Sequence, residues 1–149
     1  MQKDFNSSAN THETEQALKS WGIKYKKLPD GTLFVPGNLD FSGKGLTQLP
    51  DMSAVSVGGS FNCHDNQLTS LEHAPHTVTG DLSCDNNQLA SLEHAPQSVG
   101  GYFSCYNNQL ISLAGAPQSV GGRIRRESRQ RERWRSRKAE AQGQEVTQP

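Results

Sequence analysis

The sequence predicts a repeat solenoid, in which short coils of chain stack on one another. The first observation is a step of 21 residues that separates Cys63, Cys84 and Cys105. The second is that glycine, asparagine, leucine, proline and valine positions recur on the same step, as G-x-[FL]-x-C-x-x-N-Q-L-x-S-L-x-x-A-P-x-x-V-x. So regular a period indicates that each repeat is one coil, which buries its apolar residues only against its neighbours.

Charge divides the chain into two regions. The 149 residues have a formal net charge of zero, and 32% of them are hydrophobic. Residues 1–122 hold 6 Lys or Arg and 11 Asp or Glu, a net of −5, whereas residues 123–149 hold 9 and 4, a net of +5. The low hydrophobic fraction suits a solenoid, because its core is a thin column with few apolar positions per coil.

The N-terminal residues precede the repeats and differ from them. Residues 1–9 are polar and are predicted to be disordered. Asn10 or Thr11 is suited to cap a helix, in which Ala17, Leu18 and Trp21 form one apolar face. No apolar leader and no run of about 18 apolar residues is visible, so the sequence predicts a cytoplasmic protein that does not enter a membrane; delivery into a host cell stays open.

A β-hairpin is predicted after the helix. Ile23 to Leu28 alternates apolar and polar residues, Pro29-Asp30-Gly31 supplies a turn, and Thr32 to Val35 returns as the second strand. Residues 10–36 are therefore interpreted as an N-terminal cap. A solenoid needs such a cap, because its first coil would otherwise expose apolar side chains and an unpaired strand edge.

Residues 37–125 are predicted to form about four coils of 21–22 residues. The first coil is degenerate, with Phe41 at the cysteine position, Lys44 at the asparagine position and one extra residue between Pro50 and Val57. The [FL]-x-C segment alternates, which predicts short strands stacked into a parallel sheet. The asparagine amide is expected to donate and accept hydrogen bonds to backbone groups at the strand exit. Proline in the A-P-x-x-V return excludes a regular helix there and predicts an extended or irregular convex side.

The segment Phe103 to Leu110, F-S-C-Y-N-N-Q-L, resembles the leucine-rich repeat family, whose pattern is L-x-x-L-x-L-x-x-[NC]-x-L. The short proline-containing unit is most similar to the bacterial class found in secreted effectors and in phage or prophage proteins. The resemblance implies a protein-binding module that uses the concave face of its sheet, with a host protein as partner. The cysteine in place of an aliphatic residue and the paired glycines depart from the family pattern.

The cysteine column admits a metal interpretation and a core interpretation. Cysteine and histidine bind zinc, and His64 follows Cys63 directly. The alternation, however, places the cysteines on the inward side and His64 on the outward side, and a row of thiols does not converge on one ion. The sequence therefore predicts small core residues in a reducing compartment, with no metal or other cofactor.

The Glu-His pairs at residues 72–73 and 93–94 invite an acid–base interpretation. They fall in the return segment, where the sequence predicts no pocket. They are interpreted as solvated turn residues copied by duplication, and the chain is predicted not to be an enzyme.

The outward strand positions are the candidate protein-binding residues, because they differ from coil to coil while the inward ones repeat. Two tyrosines would act as rigid anchors, and two aspartates would favour a basic partner. The alternative is that these are ordinary solvated residues. The candidates are Asp40, Asn62, His64, Asp81, Asp85, Tyr102 and Tyr106.

Residues 126–149 are predicted to be an Arg-rich basic tail, helical or disordered. Residues 123–138 carry nine positive and two negative charges, a composition that binds phosphates without reading sequence. Nucleic-acid binding is the second functional hypothesis, and a truncated repeat protein without independent function is the third. The oligomeric state is left open. The candidate nucleic-acid-binding residues are Arg125, Arg126, Arg129, Arg133, Trp134 and Arg137.

Overall fold

A computed structural model describes residues 2–126 of the chain, with side chains from Thr11 onward. Within these residues the chain forms one helix, α1 (Gln2–Ser20), and then winds into a β-solenoid of about four turns. The strands are β1 (Lys26–Lys27), β2 (Leu33–Val35), β3 (Leu39–Asp40), β4 (Val55–Val57), β5 (Phe61–Asn62), β6 (Thr77–Val78), β7 (Leu82–Ser83), β8 (Ser98–Val99), β9 (Phe103–Ser104), β10 (Ser119–Val120) and β11 (Ile124–Arg125).

Each turn of the solenoid contributes one strand to each of two sheets. Sheet A has the order β1-β2-β4-β6-β8-β10, and sheet B has the order β11-β9-β7-β5-β3. The strands that follow one another from turn to turn are parallel, and Phe61, Leu82 and Phe103 lie opposite one another in sheet B. Sheet B is the parallel sheet that the [FL]-x-C segments predict.

Sheet A shows that the convex return is extended, which is one of the two predicted alternatives, and corrects the prediction of an irregular convex side. The return segments contain two-residue strands, so that Thr77 pairs with Ser98 and Val78 with Val99. Pro75 precedes β6 and therefore removes no hydrogen bond from the ladder. The valine that follows is β-branched and packs well in a strand.

The core lies between the two sheets and along the turns that follow sheet B. Its members are the inward strand residues predicted from the alternation, together with the repeated leucines, and this part of the prediction is confirmed. Removing each such side chain from water contributes roughly 1.5–3 kcal/mol. Those that are at most 1% exposed include Leu33, Leu39, Val55, Val57, Phe61, Cys63, Leu68, Leu71, Val78, Leu82, Cys84, Leu89, Leu92, Val99, Phe103 and Cys105.

Helix α1 begins at Gln2 rather than at Asn10 or Thr11, so residues 2–9, predicted to be disordered, lie within the helix. The segment from Gln2 to Ser20 contains neither glycine nor proline, and nothing in it stops a helix from extending towards the N-terminus. The last turns pack on the first coil. Leu18 is fully buried, and the Trp21 ring meets the Phe41 ring edge-on with centroids 5.1 Å apart.

The predicted hairpin is present, because β1 pairs antiparallel with β2. Strand β2 also pairs in parallel with β4, Leu33 opposite Val55 and Val35 opposite Val57. The solenoid therefore begins before the predicted boundary at Gly37. The sequence contains the evidence for this, since Leu33-Phe34-Val35 alternates as Val55-Ser56-Val57 does.

Glycines form a continuous column at the corner where each turn passes from sheet A to sheet B. The amide of Gly59 donates to the carbonyl of Gly37 at 3.0 Å, and the amide of Gly80 donates to the carbonyl of Gly59 at 2.8 Å. A Cβ atom on Gly80 would lie 2.8 Å from that Gly59 carbonyl oxygen. Close approach of stacked backbones therefore explains these glycines.

The asparagine that recurs every 21 residues joins consecutive turns by hydrogen bonds to their backbone groups. The Asn87 Oδ1 atom accepts a hydrogen bond from the Leu68 amide at 3.0 Å. The Asn87 Nδ2 atom donates to the carbonyls of Cys63 and Cys84 at 3.0 and 3.1 Å. Asn66 and Asn108 make the equivalent contacts in their own turns. The prediction that this side chain both donates and accepts is confirmed.

A second polar column lies one residue before the first. Asp65, Asn86 and Asn107 have left-handed backbones with φ of 58°, 56° and 57°, a conformation that asparagine and aspartate tolerate better than other side chains. Their side chains are linked from turn to turn: Asn86 Nδ2 donates to Asp65 Oδ1 at 2.7 Å, and Asn107 Nδ2 donates to Asn86 Oδ1 at 2.8 Å.

Candidate binding face

The outward residues of sheet B form three columns that run along the solenoid, and the binding face is defined here by them. Strand pairing places Asp40, Asn62, Ser83, Ser104 and Arg125 in the middle column. The flanking residues on one side of that column include Ser60, Asp81, Tyr102 and Arg123, and those on the other side include Ser42, His64, Asp85 and Tyr106. All seven predicted protein-binding residues lie on this face.

Asp81 belongs to a chain of side-chain acceptors that bridges the turns. Asn38 Oδ1 accepts from the Ser60 amide at 2.8 Å, and Ser60 Oγ accepts from the Asp81 amide at 3.0 Å. Asp81 Oδ1 in turn accepts from the Tyr102 amide at 2.8 Å. The Asp81 carboxylate therefore has a structural role as well as a charge.

Asp85 has a similar role on the opposite column. Its Oδ1 atom accepts from the Ser104 hydroxyl at 2.6 Å and from the Tyr106 amide at 2.7 Å. The Asp85 carboxylate therefore orients the Ser104 side chain and the backbone of Tyr106. The sequence predicts for Asp81 and Asp85 only that they attract a basic partner, and not these hydrogen bonds.

Asp40 and His64 lie nearer the N-terminal end of the face and bond to their own neighbours. The Ser42 hydroxyl donates to Asp40 Oδ1 at 2.6 Å, and this contact is the main cause that lowers the pKa of the Asp40 carboxyl. His64 Nδ1 lies 2.8 Å from Asp65 Oδ2. The His64 contact is likewise the main cause that lowers the pKa of the Asp65 carboxyl.

The two tyrosines are the large exposed side chains of the face. Tyr102 is 58% exposed and Tyr106 is 40% exposed. The Arg125 guanidinium carbon lies 4.9 Å from the centroid of the Tyr106 ring, a cation–π distance. Arg125 therefore holds one face of the Tyr106 ring, while Tyr102 projects without such a contact among the described residues.

A shallow groove of about 670 Å³ crosses the C-terminal half of the face. It brings together Asn62, Asp81, Asp85 and Tyr102 from the predicted set, whereas Asp40, His64 and Tyr106 lie outside its lining. The alternation of the strands also predicts the outward position of the serines, whereas Arg123 was not among the predicted residues of this surface. Its outward position follows from the sequence, because Ile124 keeps phase with Phe103. The remaining lining residues are Leu82, Ser83, Ser104, Arg123, Ile124, Arg125 and Arg126.

The groove is lined by residues of both predicted surfaces, the protein-binding one and the nucleic-acid-binding one. Arg125 and Arg126, predicted to bind nucleic acid, line it beside the candidate protein-binding residues. Three guanidinium groups and two carboxylates share the lining, so the C-terminal part of the face is not simply acidic. Of the other nucleic-acid candidates, Arg129, Arg133, Trp134 and Arg137 lie outside the described residues.

The three thiols lie inside the solenoid and not on its face. Cys63, Cys84 and Cys105 are free and fully buried. Burial raises the pKa of Cys63 and of Cys105 to about 12 and raises the pKa of Cys84 as well. Within the described side chains no group of three or more His, Cys, Asp or Glu residues is arranged to hold a metal ion.

The histidines of the two Glu-His pairs on the return side have a left-handed backbone conformation. His73 and His94 have left-handed backbones with φ of 75° and 70°, and Gly115 occupies the same position one turn later with φ of 86°. The turn geometry explains why a glycine replaces histidine there. The interpretation of these histidines as turn residues is consistent with that geometry.

No protein-family model, curated protein or solved structure matches this chain. Within residues 2–126, α1 lacks the apolar length that a membrane-spanning helix requires.

Proposed function

We propose that this chain is a non-enzymatic protein-binding module that uses the outward face of sheet B, and that its repeats are of the leucine-rich kind. The observation that carries the proposal is the exposure of Tyr102 and Tyr106 on a face where Asp81 and Asp85 already accept hydrogen bonds from the next turn. Tyrosine is enriched at binding hot spots because it is rigid, large and amphipathic. The bacterial effector or phage role that the resemblance implies is part of the proposal.

Replacing the two tyrosines tests this proposal. Partners captured by the full chain are compared with those captured by the Tyr102→Ser/Tyr106→Ser double variant and by a Glu72→Ala/Glu93→Ala control on the return side. Losing a hot-spot side chain costs about 2 kcal/mol or more, so a partner of the face binds the tyrosine variant at least about 30-fold more weakly. The control keeps its affinity.

The opposite pattern contradicts the proposal. If the glutamate variant loses the partner and the tyrosine variant retains it, the binding surface lies on the return side. Thermal unfolding of each variant shows that the fold is unchanged, which is expected because both tyrosine side chains are exposed.

Nucleic-acid binding is the second candidate, favoured by the groove in which Tyr102 lies beside Arg123, Arg125 and Arg126. Guanidinium groups neutralise phosphates, and an exposed aromatic ring stacks on an unpaired base. The carboxylates of Asp81 and Asp85 in the same groove oppose a polyanion, which is why protein binding is the leading proposal.

We also propose that α1 and the β1–β2 hairpin cap the solenoid. The support is the buried Leu18, the contact between the Trp21 and Phe41 rings, and the hydrogen bond of 2.7 Å from the Thr14 hydroxyl to the Asp51 carbonyl. A reducing compartment such as the cytoplasm suits three free, buried thiols.

A further inference from the structure

Two histidines lie at the same point of consecutive turns on the return side of the solenoid. Thr77 pairs with Ser98 in sheet A, and His73 and His94 each lie four residues before these partners. The backbones of the two histidines have nearly the same left-handed conformation, with φ of 75° and 70°. The shared register and turn geometry therefore place the two imidazoles side by side, about one strand spacing of 4.8 Å apart at the backbone.

A carboxylate of the preceding turn faces the first of these histidines. Asp51 Oδ1 lies 3.5 Å from His73 Nδ1. A carboxylate beside one ring nitrogen of a histidine orients the ring and leaves the other nitrogen, here Nε2, to bind a metal ion. His73 is half-buried and His94 is exposed, so both rings are accessible from solvent.

The spacing of the two rings suits a metal ion that prefers imidazole. Neutral imidazole is a common ligand of zinc and of other divalent transition metals. Zinc holds an imidazole nitrogen at about 2.0–2.1 Å, so two nitrogens bound to one ion are about 3.3 Å apart. Rotation of the two solvent-accessible rings about their side-chain torsions closes the difference from the backbone spacing of about 4.8 Å.

We propose that His73 and His94 together bind one divalent transition metal ion of the zinc type, with Asp51 as a positioning residue that acts through His73. The ion links two consecutive turns on the return side. Water completes its coordination, because this pair supplies fewer protein ligands than a closed structural zinc site does. The site is separate from the buried cysteine column and from the binding face of the proposed function.

The test is a calorimetric titration of zinc chloride into the full chain and into two glycine variants. His73→Gly and His94→Gly each remove one ligand, and glycine suits the left-handed backbone, as Gly115 does one turn later with φ of 86°. We expect each variant to bind zinc at least about tenfold more weakly, because the second imidazole otherwise binds intramolecularly. His76→Ala removes an exposed imidazole of the same return segment and is the matched control, expected to keep its affinity within about twofold. A circular-dichroism spectrum unchanged from that of the wild type shows that each variant is folded.

Proton NMR of the imidazole rings identifies the ligands directly. All five histidines of the chain lie within the described residues, so each ring resonance can be assigned to a known place in the fold. We expect zinc to shift the ring resonances of His73 and His94. The resonances expected to stay unchanged are those of His12, His64 and His76.

The role of Asp51 is tested by Asp51→Asn, which keeps a side-chain oxygen to accept from the Ser53 amide and hydroxyl. We expect this variant to bind zinc about tenfold more weakly, the lower end of what the loss of such a partner costs, because the site is open to solvent. Nitrogen NMR of the His73 ring reports its tautomer, which is expected to change in this variant while that of His94 does not. A purely structural role of Asp51 would leave the His73 tautomer unchanged.

Four outcomes would overturn the inference. The full chain does not bind zinc; the two glycine variants bind it as tightly as His76→Ala does; or zinc shifts the ring resonances of other histidines instead. The fourth is a zinc-dependent dimer in sedimentation, which would show that the ion is held between two copies of this chain and not between two turns of one copy.

Discussion

The Asn87 side chain is 8% exposed and satisfies backbone groups of two consecutive turns. Replacing it by alanine leaves the Leu68 amide and the Cys63 carbonyl without these partners in a nearly dry site. We therefore expect Asn87→Ala to lower the free energy of unfolding by about 1–3 kcal/mol, measured by urea denaturation. The neighbouring Gln88 side chain is exposed, so Gln88→Ala serves as the control. An unchanged midpoint for Asn87→Ala would show that the asparagine does not hold the turns together.

The buried thiols should be chemically inert in the folded protein. With a pKa of about 12, roughly one in ten thousand of the Cys63 or Cys105 side chains is a thiolate at pH 8, and burial also blocks access. We expect a thiol–disulfide exchange reagent to label none of the three cysteines at pH 8 until urea unfolds the chain. Labelling of the native protein at the rate of a free thiol would contradict this.

Because burial raises the pKa of the three thiols, the folded protein is expected to lose stability as the pH becomes alkaline. The folded-state pKa is raised above the unfolded value of about 8.5, so the stabilisation is complete below that pH and is lost as the pH rises towards 12. The urea midpoint is therefore expected to fall between pH 8 and pH 10. Cys84→Ala, which removes one of these groups, should reduce the fall.

At the scale of single residues, the apolar–polar alternation of the strands predicts which side of the sheet each residue occupies but not its hydrogen-bond partner. It correctly places Cys84 inward and Tyr102 outward. It does not predict that Asp81 accepts from the Tyr102 amide or that Asp85 accepts from Ser104, because those partners lie about one turn further along the chain. Whether a carboxylate on a strand is free or bonded depends on the stacking distance, which the sequence pattern does not contain.

At the scale of elements, the parallel strands of sheet B, the hairpin and a helix were predictable from periodicity and turn residues. The proline of the return excluded a helix there but did not decide between an extended and an irregular segment, and the start of α1 was predicted too late. Stacking of identical segments decides the first question, since Val78 and Val99 align whether or not each strand is stable alone. The polar residues before Asn10 were taken to exclude a helix, although they contain neither glycine nor proline.

The glycine corner gives a prediction at the same scale. A Cβ atom at Gly80 would lie 2.8 Å from the Gly59 carbonyl oxygen, so Gly80→Ala forces two stacked backbones apart. We expect it to cost about 1–3 kcal/mol, as overpacking typically does, measured by urea denaturation. Gly37 occupies the same column at its N-terminal end with no atom within 4 Å of its Cβ position.

Gly37→Ala is therefore the matched control and is expected to be neutral or slightly stabilising, because neither glycine has a left-handed backbone. Equal effects of the two substitutions would mean that the close approach of the turns does not explain the glycine column.

At the scale of the whole molecule, the two ends of the described solenoid differ in structure and in charge. Helix α1 and the hairpin pack on the first coil, whereas the last described coil brings Arg123, Arg125 and Arg126 to the groove of the binding face. The sequence predicts this polarity through its charge distribution, a net of −5 before residue 123 and +5 from there on. It does not predict that the basic residues enter the binding face, since the tail was expected to begin beyond the sheet.

The charge distribution also yields the prediction that separates protein binding from nucleic-acid binding. Residues 123–138 carry nine basic side chains, and neutralising about six phosphates gives a slope near −5 for log affinity against log salt with duplex DNA. Because residues 1–122 are acidic and Asp81 and Asp85 lie in the groove, we expect weak, sequence-independent binding that is lost near physiological salt. Filter binding across a salt series measures it, with Trp134→Ala as the test for base stacking. Tight binding that resists salt and requires Trp134 would make nucleic acid the principal partner, because stacking is far less sensitive to salt than phosphate contacts are.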